Sequence, residues 1–297
     1  MGPVEKPVSY KDVAMFALHY AKRHKRFALG SFGFLGLATL TDAFMPLVYQ
    51  KIVNTLMQNY ADNPASLRTA VTFLLLAFGM GIMFHTLRWR AFTNSSKFFS
   101  SALHDVVIDG LHKVQRFSTD WHANSFAGGT VRKITRGMWA YAQYGNTIYN
   151  GLFPAAMMML AMTTILLFKM PIVGLIMVAT VIIYCVLSVY ISVKILAPLF
   201  RASAERDTKI GATLADIITG NPTVKSFGAE RREDAIFSAV AEDWRVYSRK
   251  AWTTGNLTDM ARGLCRSVMF IGMLGATVWL WKEERATACD ITLTITR

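Results

Sequence analysis

Five runs of mainly apolar residues stand out along the chain, separated by segments that carry most of the charge. They cover residues 27–50, 69–90, 144–168, 171–195 and 260–281. A helix that crosses about 30 Å of hydrocarbon needs roughly 20 such residues, and each run meets that length. The pattern predicts an all-α, polytopic helical membrane protein with five complete transmembrane helices.

A sixth apolar run begins with DITLTITR at residues 290–297. As a helix these residues would reach only about 12 Å, which is far short of a span. We therefore expect a sixth helix that is truncated near its start.

Composition supports a membrane protein. The chain is 53% hydrophobic with a mean hydropathy of +0.32, which is too apolar for a soluble domain of this length. The N-terminal sequence lacks the features of a secretory signal, so we expect it to be retained. Cys185, Cys265 and Cys289 lack metal or redox spacing and are interpreted as packing residues.

Positive charge predicts the orientation. Of the 32 Lys and Arg residues, 24 lie in residues 1–26, 88–136 and 194–250, whereas the alternate connections hold four. Basic residues near membrane ends stay on the cytoplasmic side, so the N-terminus is predicted to be cytoplasmic and anionic lipids are expected neighbours. Nucleic-acid binding explains the charge less well, because no interleaved aromatic stripe accompanies the basic residues.

The inner connections run about fifty residues each and keep a helical pattern, which predicts long helical hairpins outside the bilayer. Pro198 is expected to kink one of these helices. At the tip of the second hairpin, Gly220 is predicted to end a helix in the left-handed conformation, with Asn221 as the next cap and Pro222 at its first position. Gly228 is predicted to end this short helix.

The enclosed helix is too short to be stable alone. Val224 and Phe227 are expected to point the same way, toward a docking partner. The first tip is comparable: Ser118 is a candidate cap, Asp120 suits a first turn, and Gly128–Gly129 is the expected stop. Its apolar residues are Phe117, Trp121 and Phe126. Each tip could equally be a simple turn, with Trp121 and Phe227 packed on their own hairpins.

Near the N-terminus, Val13, Phe16, Ala17 and Tyr20 share one helical face and basic residues follow. The spacing favours an interfacial helix over a solvated basic tail.

Two segments carry a family resemblance. LADIITGNPTVKSFGAERREDAIF resembles the second cytoplasmic loop of ATP-binding-cassette (ABC) exporters, and HKVQRFSTDWHANSFAGGTVRKITRGM resembles their first. The likeness covers essentially the whole chain. It implies an N-terminal elbow helix at residues 1–26 and a type-1 transmembrane domain at residues 27–297.

The resemblance also implies partners: a second transmembrane domain, identical or related, and nucleotide-binding domains that bind ATP and Mg²⁺ and move short coupling helices. By position, the coupling residues would be Ser118, Thr119, Asp120, Trp121, His122, Asn221, Pro222, Thr223, Val224, Lys225 and Phe227. The bacterial inner membrane is the expected location.

The phosphate-binding pattern G-x-x-x-x-G-K-[ST] is not found in the sequence. We therefore expect no ATPase activity and no cofactor in this chain itself. No catalytic or metal-ligand constellation is evident either.

Four polar residues in or near the spans are candidates for a substrate cavity: Asp42, His85, Arg262 and Arg266. Each has a structural alternative. Asp42 could pair with a neighbouring helix, His85 could be a packed histidine, and the two arginines could reach lipid phosphates or pair with Asp259.

The main hypothesis is the membrane-spanning half of an ATP-driven exporter. A secondary transporter or channel is the alternative from another class, for which inverted repeats and interrupted spans would be expected. A non-transporting fragment is the third.

Overall fold

The computed structural model describes residues 9–58, 64–124 and 127–283. These residues form helices, and no strand occurs among them. In chain order the α-helices are α1 Tyr10–Arg23, α2 Lys25–Gln58, α3 Pro64–Gln115, α4 Thr119–Asn124, α5 Ala127–Asn146, α6 Phe153–Lys169, α7 Pro171–Ile191, α8 Ala197–Thr219, α9 Asn221–Ser226 and α10 Glu230–Lys282. Two π-helical turns join α5 to α6 and α7 to α8, at Thr147–Leu152 and Ser192–Leu196.

The five predicted spans are confirmed, and each lies inside a longer helical segment that is apolar enough to cross a membrane. These segments are Lys25–Leu56, Leu67–Gln115, Lys133–Lys169, Pro171–Thr219 and Glu230–Lys282. The last contains 53 residues, or about 80 Å of helix against about 30 Å of hydrocarbon. The long extensions predicted from the sequence are therefore present. The expected start of a sixth helix at residues 290–297 lies outside the described residues.

The described residues divide into two compact units, one up to Lys169 and the other Met170–Lys282. In the first unit, α2 and α3 run antiparallel. The Cα of Gly30 faces Asn94 and that of Gly81 faces Met45. Ala38 and Ala91 are almost fully buried, and such small residues allow two membrane helices to approach closely.

An aromatic cluster ties the start of α6 to this pair. Tyr149, in the π turn, is 2% exposed. Its ring lies edge-on to Phe32, Phe92 and Phe99 at centroid distances of 5.3, 6.2 and 6.4 Å. Edge-to-face pairs of this kind add to the free energy of packing beyond the buried area.

The N-terminal helix α1 begins with a capping box. Asp12 accepts from the Ser9 backbone N–H, and Ser9 Oγ accepts from Lys11. Its apolar face is only partly covered, because Tyr20 is buried whereas Val13 and Phe16 are exposed. Burial raises the pKa of the Tyr20 hydroxyl.

The end of α1 is attached to the later part of α3 by polar and charged side chains. Arg23 donates to Asp109 at 2.7 Å, and His24 Nε2 lies 3.0 Å from Asp105. These contacts fix the turn at which the chain enters α2.

In the second unit, α8 packs along α10. The hydroxyls of Ser203 and Ser248 are 2.7 Å apart. The Arg206 guanidinium lies 3.2 Å from the centroid of the Tyr247 ring and 3.1 Å from Asp243. These polar and aromatic contacts hold α8 against α10. The two helices form the hairpin whose tip is α9.

Each π turn precedes a proline. The backbone N–H of Phe153, just before Pro154, donates to Ile148, and that of Ala197, just before Pro198, donates to Ser192. Proline lacks an N–H and its ring collides with the carbonyl four residues earlier, which a wider turn relieves. A π turn lies immediately before Pro198, where the sequence predicted a kink.

Candidate functional site

The short helix α9 forms as predicted but with different end positions. Gly220 has φ −81° and is the N-cap, so it does not adopt the left-handed conformation. Its N–H continues α8 by donating to Asp216 at 2.8 Å. Asn221 is the first helical residue instead of the cap, and Pro222 follows it. The prediction failed because the chain passes from α8 into α9 with right-handed backbone angles and needs no left-handed residue there.

The helix end predicted at Gly228 is confirmed. Gly228 has φ +58°, a conformation that side chains with a Cβ disfavour. Its N–H donates to Lys225 and that of Ala229 to Val224, which is a Schellman motif. Lys225 also donates to Glu230 at 2.8 Å. This hydrogen bond and the carboxylate charge raise the pKa of Lys225.

Val224 of α9 and Phe227, the C-cap residue that follows this helix, differ in exposure. Val224 is half-buried and lines a groove with Ile217 and Ile236 of its own hairpin. Phe227 is 81% exposed. The expectation that both point the same way is wrong, and the alternative in which Phe227 packs on its own hairpin does not hold in this structure. The sharp turn at Gly228 presents Phe227 outward.

The first tip is capped as predicted. Ser118 Oγ accepts from the Trp121 N–H at 3.3 Å, and α4 follows. The rings of Phe117 and Trp121 lie 4.6 Å apart, and Trp121 is half-buried. Thr119, Asp120 and His122 are exposed.

The stop predicted for this tip is wrong. Gly128 and Gly129 lie in the first turn of α5, whereas α4 ends at Asn124. The glycines therefore begin a helix instead of ending one. Phe126 lies outside the described residues.

Asp42 borders a cavity of about 320 Å³ within the first unit. The lining residues are Leu35, Ala38, Thr39, Asp42, Phe84, Arg88, Phe92, Asn150, Pro154, Ala155 and Met158. Sequence reasoning missed Arg88. Its spacing could have revealed it, because Phe84 and Phe92 lie one helical turn on either side.

The remaining predicted cavity residues are not brought together with Asp42. His85 is exposed and does not line the cavity. Arg262 donates to Ser192 Oγ at 2.8 Å and to the Ser188 carbonyl at 3.3 Å. Arg266 donates to the Tyr184 hydroxyl at 3.0 Å. These contacts tie α10 to α7 and to the π turn that follows it, in place of a pairing with Asp259.

Within residues 9–58, 64–124 and 127–283, no three His, Cys, Asp or Glu side chains are grouped as a metal site requires. Cys185 is exposed and Cys265 is half-buried; both are thiols. Cys289 is outside the described part of the chain.

The long helices, their apolar spans and the short capped helices between them define a class of multi-pass helical membrane domain. The chain matches the ABC transporter transmembrane region over residues 29–296. It belongs to that family, as the resemblance predicted. The matched region is a membrane domain and is not itself catalytic.

A curated relative is the ATM1-type heavy metal exporter of Novosphingobium aromaticivorans, which is 25% identical over 273 residues, covering 90% of this chain and 44% of the relative. A solved structure of a bacterial Atm1-family ABC exporter with ATP bound superposes with a TM-score of 0.76 and 22% identity, covering 92% of this chain and 48% of the other. The chain thus spans about half the length of these proteins, and the second match shows the fold.

Proposed function

We propose that the chain lines the translocation pathway of an ATP-driven exporter and is moved by nucleotide-binding domains through α4 and α9. The observation that carries this proposal is the outward presentation of Phe227, 81% exposed at the C-cap of a helix of six residues. Membership of the ABC transmembrane family supplies the class of partner.

The build of α9 suits the transmission of force. Its C-terminus is closed by the Schellman motif at Gly228 and by the Lys225–Glu230 ion pair. It sits on the hairpin that the Ser203–Ser248 and Arg206–Tyr247 contacts hold together. A displacement at the tip would therefore pass to the membrane helices as a rigid-body movement.

The exposed ring also offers free energy for docking. Burying a phenylalanine side chain contributes about 1.5–3 kcal/mol. The other proposed coupling residues are Asn221, Pro222, Thr223, Val224 and Lys225 in the second tip, and Ser118, Thr119, Asp120, Trp121 and His122 in the first.

In this proposal ATP and Mg²⁺ bind to the nucleotide-binding domains, and a second transmembrane domain, identical or related, completes the pathway. The N-terminus is cytoplasmic, as the positive charge of the inner connections favours, and the proposed location is the bacterial inner membrane. Asp42 contributes to the pathway through the cavity that it borders. Heavy-metal export, named for the relative, is one candidate activity for this chain.

The test is co-reconstitution of the chain in liposomes with a candidate nucleotide-binding subunit. We expect Phe227→Ala to lower transport-linked ATP hydrolysis. The matched control is Phe168→Ala. Phe168 is similarly exposed, at 86%, but it lies near the end of α6, on the side of the membrane predicted to be opposite the two tips. If both variants hydrolyse ATP as the wild type does, the docking proposal is wrong. Transport that needs no ATP would favour a secondary transporter or channel, and no transport with any subunit would favour a non-transporting fragment.

A further inference from the structure

The π turn Ser192–Leu196 joins the membrane-spanning helix α7 to α8. The preceding helix α7 has 21 residues, or about 31 Å at the helical rise, which matches the thickness of the hydrocarbon. The turn therefore lies at the end of this span that is predicted to be cytoplasmic. Beyond it, α8 leads to α9, so the stiffness of the turn decides how far α9 can move without moving α7.

The backbone hydrogen bonding of this turn is less complete than that of a regular helix. The N–H of Ser192 is shared between the carbonyls of Ser188 and Val189. That of Ala197 reaches back five residues to the Ser192 carbonyl, and Pro198 supplies no N–H at all. Since the proline ring also disfavours a regular α turn here, a loss of the π winding leaves a hinge.

Arg262 of α10 supplies hydrogen bonds to the turn from a different helix. Its Nη2 donates to the Ser192 hydroxyl at 2.8 Å and to the Ser188 carbonyl at 3.3 Å. One guanidinium nitrogen thus joins the first residue of the π turn to the last turn of α7. Hydrogen bonds from a charged donor are roughly twice as strong as those between neutral groups.

The surroundings of the turn strengthen these bonds but do not satisfy every polar atom. Val189, Val193 and Ile195 are exposed apolar residues, as expected where a helix faces lipid, and hydrogen bonds are stronger where the local dielectric is low. Within the described part of the chain, Arg262 Nε and the Ser188 hydroxyl are buried without a hydrogen-bond partner. Unsatisfied buried groups count against an arrangement, so Arg262 biases the turn toward the π winding without locking it.

We propose that Arg262 is a positioning residue that stiffens the π turn between α7 and α8, so that the span and the hairpin that carries α9 move as one body. It does so by bonding the last turn of α7 and the first residue of the π turn at once. The inference rests on the proposed function in one respect, since only a coupled transporter uses this stiffness to pass movement between the tip and the membrane.

Arg266 provides a matched control. It lies one turn further along α10 and donates to the Tyr184 hydroxyl at 3.0 Å. Tyr184 lies inside α7, eight residues before the π turn begins. Both arginines therefore tie α10 to α7 through a side-chain hydroxyl, but only Arg262 touches the turn.

The experiment is hydrogen–deuterium exchange of the purified 297-residue chain in an uncharged detergent, followed by mass spectrometry. Amide exchange reports local opening of the helix. We expect Arg262→Gln to speed the exchange of residues 190–197 by about 5- to 30-fold, from the loss of charge-assisted hydrogen bonds. Arg262→Lys should restore part of the protection, because an ammonium group keeps charged donors. Arg266→Gln should leave these amides unchanged. Ser192→Ala, which removes only the hydroxyl acceptor, should speed their exchange by a smaller factor.

A second measurement reads the movement of α8 relative to α7. Spin labels are attached through Val186→Cys and Leu214→Cys, at two exposed positions, in a chain whose three cysteines are replaced by serine. The labels are about 42 Å apart along the helical path. The distribution of distances between them should broaden in Arg262→Gln and stay unchanged in Arg266→Gln, because a hinge at the π turn lets α8 swing.

The inference is overturned if Arg262→Gln exchanges as the wild type does, if both arginine variants speed exchange equally, or if the distance distribution does not broaden. It is also overturned if exchange in Arg262→Gln rises equally along the whole of α7 and α10, since that result would show a general loss of packing. Neither measurement needs ATP or a partner subunit. A turn that depends on Arg262 in a chain that fails to couple would refute the proposed function and leave this inference standing.

Discussion

The contact between Gly145 of α5 and Phe99 of α3 predicts a steric barrier to any larger residue at position 145. A Cβ built on Gly145 would lie 2.3 Å from Cε1 of Phe99 and 2.8 Å from its Cζ, whereas carbon atoms pack at about 3.5–4.0 Å. The ring of Phe99 is itself flanked by Phe98, at a centroid distance of 5.0 Å.

Overpacking of this kind costs about 1–3 kcal/mol. Replacing glycine by alanine within a helix also contributes about 0.5–1 kcal/mol in favour of folding. Gly137, two turns earlier on α5, isolates the two effects, because its Cβ would meet nothing within 4 Å. Both variants gain the same helix propensity, so their difference in free energy of unfolding measures the clash.

The assay is thermal unfolding in detergent, followed by tryptophan fluorescence. At about 2–4 °C per kcal/mol for chains of moderate size, Gly145→Ala should melt several degrees below Gly137→Ala. Adding Phe99→Leu to Gly145→Ala should recover part of the loss, since the smaller side chain removes the colliding ring atoms. A Gly145→Ala protein as stable as Gly137→Ala would refute the packing described here.

Two further predictions concern the second tip. Gly228→Ala should destabilise the turn after α9 by about 1–2 kcal/mol, the usual cost of the left-handed conformation for an L-residue, and limited proteolysis should cut there faster; Gly228→Asn should be milder, and equal cleavage of all three proteins would contradict the assignment. Because the pKa of Lys225 is raised in the folded chain, its pair with Glu230 should persist below the ordinary lysine pKa and be lost only as the pH rises through the folded value. NMR titration of the Lys225 ammonium should give a midpoint above about 10.4, and a lower midpoint would count against the ion pair.

Sequence patterns correctly predicted those features that depend only on residues close together in the chain. The five spans follow from the length of apolar runs, and the stop at Gly228 follows from the left-handed preference of glycine. The errors at Gly220 and at Gly128–Gly129 have one cause. Glycine is compatible with both right-handed and left-handed turns, so its presence alone does not say which one the chain adopts.

Contacts between distant residues were beyond the sequence. The bonds from Arg262 to Ser188 and Ser192 depend on how α10 lies against α7, and the cavity around Asp42 depends on the register of α2, α3 and α6. Neither register is encoded in a short motif. Arg88 is intermediate, because its aromatic neighbours are visible in the sequence whereas the cavity that it faces is not.

The π turns before Pro154 and Pro198 change which residues share a helical face on the two sides of each turn. Each wide turn accommodates about one residue beyond the 3.6 of an ordinary turn, and one residue corresponds to a rotation of about 100°. A single helical wheel drawn through either segment therefore assigns the residues on one side of the turn to the wrong face. Deleting one residue inside such a turn would restore regular winding there and swing every side chain beyond it about a quarter of the way around the axis.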